Sequence, residues 1–491
     1  MTFSLRFFKA ALTAAVVSSS LVIGMSAQAD SLLDIYNKAV TNDPAIREAQ
    51  ANMYATMEAK PQARADLLPQ IDFSGGWQTN KSDGSRPVSI LGVPTGQPFE
   101  SATDTLNWSF NLNQTLFRWD QFASMGRADK EVSQAQLDFG AAQQELMVRV
   151  TETYFNVLAA RDTLAAEKSA KEAIQRQLEQ ANRRYEVGLI AITDVQEAKA
   201  GFDEAVAAEI VAKRELANAR EALREITGEY TDVLATPAQE IPLIVPEPPI
   251  KEEWVRTAQE QNLALLSAKI GADITRDDVS VSRSGYLPTL DLTASYGSRE
   301  SSSVSEQTFP NPGTGLLDQN TAAFDTDQRD TTVGIQFSVP LFAGLGTTSD
   351  VKEAIYRHRA AKENFERVVR QTEREARDAY YGVESEISRV KALKQSRKST
   401  EVALEATEAG YEVGTRTTVD VLDARRAVFL AQRNYARSRY DYIVNVVRLK
   451  QAAGILNPGD LAKINEWLQR EADVSDTDLS TIEIKETAAI R

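Results

Sequence analysis

The sequence predicts an α+β membrane protein in which long helices alternate with pairs of strands, arranged as two copies of one module. Three observations lead to this prediction. A four-residue motif and much of its surroundings occur twice, two stretches of more than 60 residues lack proline, and four runs alternate strictly between apolar and polar residues. The repeat indicates a duplicated module, the stretches without proline predict long helices, and the alternating runs predict strands.

The internal repeat is the clearest of these signals. Tyr185-Glu186-Val187-Gly188 recurs as Tyr411-Glu412-Val413-Gly414, 226 positions later. Upstream, Leu68-Pro69-Gln70-Ile71-Asp72 resembles Leu287-Pro288-Thr289-Leu290-Asp291. Solenoid repeats have much shorter periods, so we interpret the pattern as a duplicated module. The predicted copies are residues 30–228 and 251–454.

Composition excludes several classes of function. The chain has 491 residues, a formal net charge of -15, no cysteine and a single histidine, His358. An acidic chain without a basic stripe argues against nucleic acid as a partner. The missing thiols and the single imidazole argue against zinc sites of nitrogen or sulfur ligands and against catalytic triads. We therefore expect a protein that is not an enzyme and needs no cofactor.

The N-terminus predicts export. Arg6 and Lys9 precede the apolar run Ala10–Met25, and Ala27-Gln28-Ala29 is a small-x-small cleavage site. This pattern is typical of a secretory signal peptide, here residues 1–29. Beyond it we find no run of 18 apolar residues, so no transmembrane helix is expected.

Two stretches predict helices too long for a compact domain, about 123–186 and 345–412. Each is preceded by a shorter predicted helix (31–66 and 251–284) and followed by another (194–228 and 418–454). The two shorter helices of a copy together match the long one in length, so they can stack end to end beside it. The later helices carry heptad seams that include Ala198, Leu216, Ala424 and Leu449, typical of coiled-coil packing. Gly188 and Gly414 are predicted C-caps, and Thr193 and Thr417 or Thr418 are predicted to start the next helices.

The alternating runs predict four strands, at about 69–80, 104–117, 287–298 and 330–341. Each has one apolar and one polar face and a length near that of a tilted outer-membrane strand. The intervening stretches 81–100 and 298–330 are rich in Gly, Pro, Ser and Asp and are expected to be extracellular loops. Four strands are too few to enclose a lumen, and an open edge is not tolerated in lipid. The chain must therefore oligomerise, with two, three or four copies giving 8, 12 or 16 strands.

These segments resemble the TolC family of outer-membrane channels for efflux and type I secretion. The resemblance rests on residues 185–196, on residues 411–424 and on the strand entry at 287–295. It implies a homotrimer in which a 12-stranded barrel in outer-membrane lipid continues as a helical tunnel across the periplasm. It also implies a belt formed by the Pro-rich strap 229–250 and the C-terminal stretch 455–470. The polar stretch 471–491 is expected to be a disordered tail.

The resemblance implies a cation-binding selectivity ring at the periplasmic entrance, made by Asp420 and Asp423. The two carboxylates lie three positions apart and share a helix face. Acidic residues also simply favour a helix N-terminus, which is the structural alternative for Asp420. Glu197 matches Asp423 in the first copy, and we interpret it as facing solvent rather than the lumen.

The resemblance further implies links that hold the entrance closed, from Thr193 and Asp194 to Tyr411 and Arg416. Docking tips for a periplasmic adaptor are implied at two glycine turns, Val187-Gly188-Leu189 and Val413-Gly414-Thr415. The remaining implied partner is an inner-membrane transporter, of the RND or the ABC class. The alternative is a trimeric coiled-coil surface adhesin, which would carry its barrel segment at one terminus rather than in both copies.

Overall fold

A computed structural model describes residues 29–90, 93–238, 240–310, 313 and 317–475. The predicted signal peptide 1–29 therefore lies outside the described residues, except for its last position. The first set of elements contains three short helices, a strand pair and two longer helices. These are α1 (Leu32–Asn42), α2 (Pro44–Met57), α3 (Ala59–Ala65), β1 (Gln70–Ile90), β2 (Val93–Phe117), α4 (Trp119–Glu186) and α5 (Ile192–Thr227).

A short strand and an extended segment lead into a second set in nearly the same order. The short strand is β3 (Val233–Pro237). The second set consists of α6 (Lys251–Gln261), α7 (Leu263–Ser284), β4 (Thr289–Pro310), β5 (Leu317–Ser338), α8 (Gly346–Glu412) and α9 (Thr418–Ala452). The C-terminal part adds α10 (Pro458–Asn465) and β6 (Leu468–Asp473). Each set thus has its strand pair between short helices and one long helix.

The predicted helices 31–66 and 251–284 are both interrupted, which corrects the prediction of single helices. The first breaks at Asp43, whose carboxylate accepts a hydrogen bond from the Ala45 amide and caps α2. Proline at position 44 has no amide hydrogen and disfavours helix at the residue before it, so a break is expected there. In the second set Asn262 caps α7 through the Leu265 amide.

Each break lies against the end of the helix that returns from the tip. Asn42 donates a side-chain hydrogen bond to the Thr227 carbonyl (2.7 Å), and Asn262 donates one to the Ala452 carbonyl (3.0 Å). These bonds satisfy carbonyls that have no partner within their own helix. The shorter helices of each set therefore meet near the middle of the long helix beside which they lie.

The long helices α4 and α8 contain 68 and 67 residues. At 1.5 Å per residue each extends about 100 Å. Within the residues that the structure describes, none of the helices combines the length and hydropathy that a bilayer-crossing helix requires.

The four long strands form one antiparallel sheet in the order β1-β2-β4-β5. The register places the apolar positions on one face: Phe73 lies opposite Phe110, which lies opposite Tyr296. The Phe73 and Phe110 rings are 5.0 Å apart. Large apolar side chains on this face remain exposed in the single chain, among them Ile71, Phe73, Trp77, Val333, Ile335 and Phe337. The sheet thus presents an uncovered apolar surface, and its outer strands β1 and β5 each leave one edge unpaired within the chain.

The stretches 81–100 and 298–330 are not mainly loops, which corrects the sequence interpretation. β1 pairs with β2 from Gln70 opposite Asn113 as far as Ile90 opposite Val93, and β4 pairs with β5 out to Pro310 opposite Leu317. Gly, Ser and Asp have low strand propensity, which favoured the loop prediction. Once a hairpin is in register, however, each further residue pair adds backbone hydrogen bonds without a new loop-closure cost.

The main apolar core lies halfway along the helices, where the shorter elements surround them. It includes Tyr154, Phe155 and Leu158 of α4 and Tyr442 and Ile443 of α9, all at most 1 % exposed. β3 and β6 pair antiparallel, so the strap and the C-terminal stretch are joined at this level. Glu471–Asp473 belong to β6, so the predicted tail begins too early. The tail from 476 onward lies outside the described residues.

Candidate functional site

The helical hairpins α4–α5 and α8–α9 end in two glycine turns of the same geometry. Gly188 and Gly414 adopt the left-handed conformation (φ 74° and 79°), as predicted for C-cap glycines. The Leu189 amide donates to the Arg184 carbonyl (2.8 Å), and the Thr415 amide donates to the Gly410 carbonyl (2.9 Å). Each turn thereby satisfies a carbonyl at the end of a long helix and reverses the chain within about five residues.

The two returning helices begin differently. α9 has Thr417 as its N-cap, as predicted, and the Asp420 amide donates to the Thr417 hydroxyl (3.2 Å). α5 has Ala191 as its N-cap, so Thr193 lies inside the helix and does not start it, which corrects the prediction. The Asp194 carboxylate accepts the Ala191 amide (3.2 Å) and provides the side-chain part of that cap.

Of the two predicted ring carboxylates, Asp420 has a defined structural role. Its carboxylate accepts hydrogen bonds from the amide (2.8 Å) and hydroxyl (3.0 Å) of Thr417. These bonds, with a smaller contribution from the charge of Arg416, lower the pKa of Asp420 below its ordinary value. The local capping role of Asp420 is therefore present in the structure, and the same bonds favour the ionised form of its carboxyl.

Asp423 is placed differently, one turn along the same face of α9. Its side chain is 66 % exposed, and an Arg426 guanidinium nitrogen lies 3.8 Å from its carboxylate. Glu197, at the matching position of α5, is also exposed. Among the residues that the structure describes, no group of His, Cys, Asp and Glu has the arrangement of a metal site.

Within the single chain Tyr411 has contacts other than the predicted links. Tyr411 accepts a hydrogen bond from the Thr418 hydroxyl (3.4 Å), and the Arg184 guanidinium lies 5.1 Å from the centre of its ring. Arg184 belongs to α4, so this cation–π contact connects the two hairpins. No hydrogen bond or ion pair described within the chain joins Thr193 or Asp194 to Tyr411 or Arg416.

Gly410 explains how Arg416 is held at the tip. Its carbonyl accepts the amides of Thr415 (2.9 Å) and Arg416 (3.2 Å) and the hydroxyl of Thr415 (3.0 Å). A β-carbon at position 410 would lie 2.8 Å from Cγ of Arg416. Glycine at this position therefore leaves room for the Arg416 side chain against the end of α8, and a larger residue would displace that side chain.

Two arginines of α9 that the sequence analysis did not single out hold the hairpins together. Arg425 donates to the Glu408 carboxylate of α8 (2.7 Å) and to the Ala173 carbonyl of α4 (3.1 Å). Arg426 forms an ion pair with Glu204 of α5 (2.5 Å). The sequence shows two adjacent basic residues within the heptad pattern of α9. It does not show which groups they contact, because their partners lie on three other helices.

Farther from the tips the same two hairpins are held by a larger apolar surface. Phe155 of α4 stacks on Tyr440 of α9 with ring centres 5.5 Å apart. Near the tips the apolar cluster that the two hairpins share is smaller among the described residues, with Ile174, Ala205 and Leu422 buried and Phe202 against them. Polar contacts thus provide a greater share of the attachment between hairpins near the tips than in the middle.

The predicted docking tips are open to solvent. Val187 and Leu189 are both 69 % exposed, and Val413 is 76 % exposed. When another surface covers side chains this exposed, the free energy falls by about 25 cal/mol for each Å² of apolar area buried. The glycines between them are needed for the turn, so capping and contact functions fall on different residues.

The family model described as outer membrane efflux protein matches residues 35–229 and 254–455 of the chain. These ranges nearly coincide with the two predicted copies. Outer membrane protein TolC of Vibrio cholerae serotype O1 is 37% identical over 441 residues, covering 90% of this chain and 94% of that protein. The protein of the same name from Escherichia coli K12 is 34% identical, covering 90% and 86%. The alkaline protease secretion protein AprF of Pseudomonas aeruginosa is 29% identical, covering 93% and 92%.

The fold is similar to solved outer-membrane channel structures. The Campylobacter jejuni CmeC outer membrane channel superposes with a TM-score of 0.69 at 18% identity, covering 91% of this chain and 90% of that one. A CusC structure gives a TM-score of 0.67 at 16% identity, with coverages of 87% and 92%. At these identities the likeness concerns the fold alone.

Proposed function

The chain belongs to the outer membrane efflux protein family, and from this premise we propose how it works as an exit duct of the outer membrane. The duct is a passive conduit, not an enzyme, that extends into the periplasm and serves efflux and type I secretion. An energised inner-membrane transporter, of the RND or ABC class, supplies the cargo through a periplasmic adaptor. Relatives named for protease secretion support the secretion role alongside efflux.

The single observation that carries this proposal is the four-stranded sheet with an exposed apolar face and two unpaired edges, continuous with helices about 100 Å long. In lipid, unpaired edges are not tolerated, so β1 of one copy must pair with β5 of another. Three copies give a barrel of twelve strands. The helices of the same three copies then enclose a tunnel whose narrow end is formed by the tips.

Asp420 and Asp423 of three chains would place six carboxylates around that end. A ring of carboxylates attracts cations, excludes anions and binds multivalent cations. The exposed tips at Val187, Leu189 and Val413 are where an adaptor would dock. The adhesin alternative has no comparable support, because strands interrupt the helices in both sets of elements and the relatives are efflux and secretion proteins.

The test is single-channel recording of the purified mature protein in a planar bilayer. We expect a small, cation-selective conductance that a trivalent cation blocks when it is added on the side of the helical tips. Block from the opposite side alone would contradict the placement of the acidic ring. A folded oligomer without any conductance would contradict the proposed duct.

The closed state is tested by changing Tyr411 to Phe together with Arg416 to Ser. We expect cells with this double variant to admit a large glycopeptide antibiotic several times faster than the parent. The double change removes the Tyr411 hydroxyl and the Arg416 charge, and both belong to the proposed links. Tyr411→Phe alone is the intermediate case, because it removes the hydroxyl and keeps Arg416, and we expect it to admit the antibiotic more slowly than the double variant does. Equal antibiotic sensitivity of the double variant and the parent would contradict the link assignment.

A further inference from the structure

We propose that Arg426 is a specificity-determining residue of the entrance, which lowers the negative charge that Asp423 presents to passing ions. This inference rests on the proposed function and assigns part of its ion selectivity to a residue outside the predicted ring. It follows from the position of one guanidinium between two carboxylates of different hairpins.

Arg426 lies one turn after Asp423 on α9 and faces α5. One of its terminal nitrogens is 3.8 Å from the Asp423 carboxylate, and the other is 2.5 Å from the Glu204 carboxylate. In the single chain the side chains of Asp423 and Glu204 are 66 % and 68 % exposed, so neither carboxylate is covered by its own chain. The three groups together carry one net negative charge per chain instead of two.

The surroundings fix the guanidinium in this position. It borders a small cavity of about 150 Å³ between α4, α5 and α9, together with Ile174 and Ala205. Gly201 of α5 lies beside it, at a distance where a β-carbon would make ordinary contact with the Arg426 nitrogen (3.8 Å) and with Leu422 (3.6 Å). The charge is therefore positioned by the ion pair with Glu204 and by the contact with the residues that line this cavity.

The effect on ions follows from Coulomb's law. A unit charge about 4 Å away changes the energy of another by about 1 kcal/mol even in bulk water, and a trivalent ion experiences three times the interaction of a monovalent one. Three guanidinium groups around one narrow entrance act together on a blocking cation. Removing them is expected to strengthen trivalent block by about tenfold or more.

The experiment compares Arg426→Gln with Glu204→Gln in planar-bilayer recordings. We measure the reversal potential in a salt gradient and the concentration of trivalent cation that halves the current. Arg426→Gln should raise cation selectivity and strengthen block about tenfold, whereas Glu204→Gln should shift both in the opposite direction. If Arg426 served only as a bridge between hairpins, both variants would break the same ion pair and change the channel alike. That result would overturn the inference.

Three further variants sharpen the test. Arg426→Lys keeps the charge and should retain block within about twofold of the parent. In an Asp423→Asn background block should be weaker, and Arg426→Gln should restore part of it, since the positive charge acts on the ion whether or not Asp423 is charged. Arg433 of α9 pairs with Glu167 (3.5 Å), about 10 Å farther from the tip, so Arg433→Gln should leave block unchanged. An equal gain in Arg433→Gln would contradict a local role, and so would an Arg426→Gln change that leaves block in the Asp423→Asn background unaltered.

Failure of this inference differs from failure of the proposed function. A parent channel that trivalent cations block, with Arg426→Gln behaving like the parent, overturns the role of Arg426 alone. A parent channel that they do not block overturns the acidic entrance and this inference with it.

Discussion

Changing Asp420 and Asp423 together to asparagine is expected to abolish block by trivalent cations and to reduce cation selectivity. In the proposed trimer the change removes six negative charges from the narrowest part of the path. Several unit charges within a few ångströms of a trivalent ion contribute enough energy to weaken block about a hundredfold or more. The measurement is the half-blocking concentration in single-channel recordings, taken beside the parent channel.

Asparagine is the appropriate replacement because the structure gives Asp420 a second role. Its carboxylate accepts two hydrogen bonds from Thr417 at the N-terminus of α9. Alanine would also remove those hydrogen bonds, at a cost of about 1 kcal/mol. The effect of the lost charge could then not be separated from the effect of fraying at the helix start. Asparagine keeps an acceptor and removes the charge.

The first set of elements offers a matched control. Asp194 and Glu197 occupy the corresponding positions at the start of α5, and Asp194 accepts the Ala191 amide as its own cap. Asp194→Asn with Glu197→Gln removes the same number of charges from the other hairpin. We expect a much smaller loss of block there. Equal effects in the two hairpins would mean that both acidic pairs face the ion path.

Gly454→Ala is expected to destabilise the protein far more than Gly228→Ala, although both glycines end a returning helix in the left-handed conformation. Their φ angles are 75° and 80°. A β-carbon at position 454 would lie 2.3 Å from the Gln261 carbonyl oxygen and 2.7 Å from the Asn262 α-carbon. At position 228 the nearest atom would be Cβ of Asn42, at an ordinary 3.6 Å.

The two variants therefore differ by one physical cause. Alanine in the left-handed region costs about 1–2 kcal/mol at either site. At position 454 the backbone at the α6–α7 break must also move, which adds about 1–3 kcal/mol of strain. The check is the midpoint of thermal unfolding, followed by the helical circular dichroism signal, with the yield of folded protein as a second measure. Equal shifts in the two variants would show that the backbone at the α6–α7 break moves without a measurable cost in stability.

The long helices and their tips were predictable because their signals are local. An absence of proline, a heptad seam and a glycine followed by a capping residue each act within a few positions, and α4, α8, Gly188 and Gly414 agree with them. The break at Asp43 was available from Asn42-Asp43-Pro44 and was missed because helical periodicity continues across it. The length of the β-hairpins β1–β2 and β4–β5 was underestimated, because the low strand propensity of the residues matters less than the cooperative pairing of two strands.

What the sequence determined by itself was the class of the protein, its two sets of elements, and the position of the acidic pair at a helix start. What only the tertiary structure decided was the arrangement of charges between helices. Arg426 lies between Asp423, three residues away, and Glu204, which belongs to the other hairpin. Arg425 likewise joins Glu408 and Ala173. The physical reason is that periodicity fixes which residues share a helix face, whereas the rotation and axial register of neighbouring helices depend on the packing of all of them.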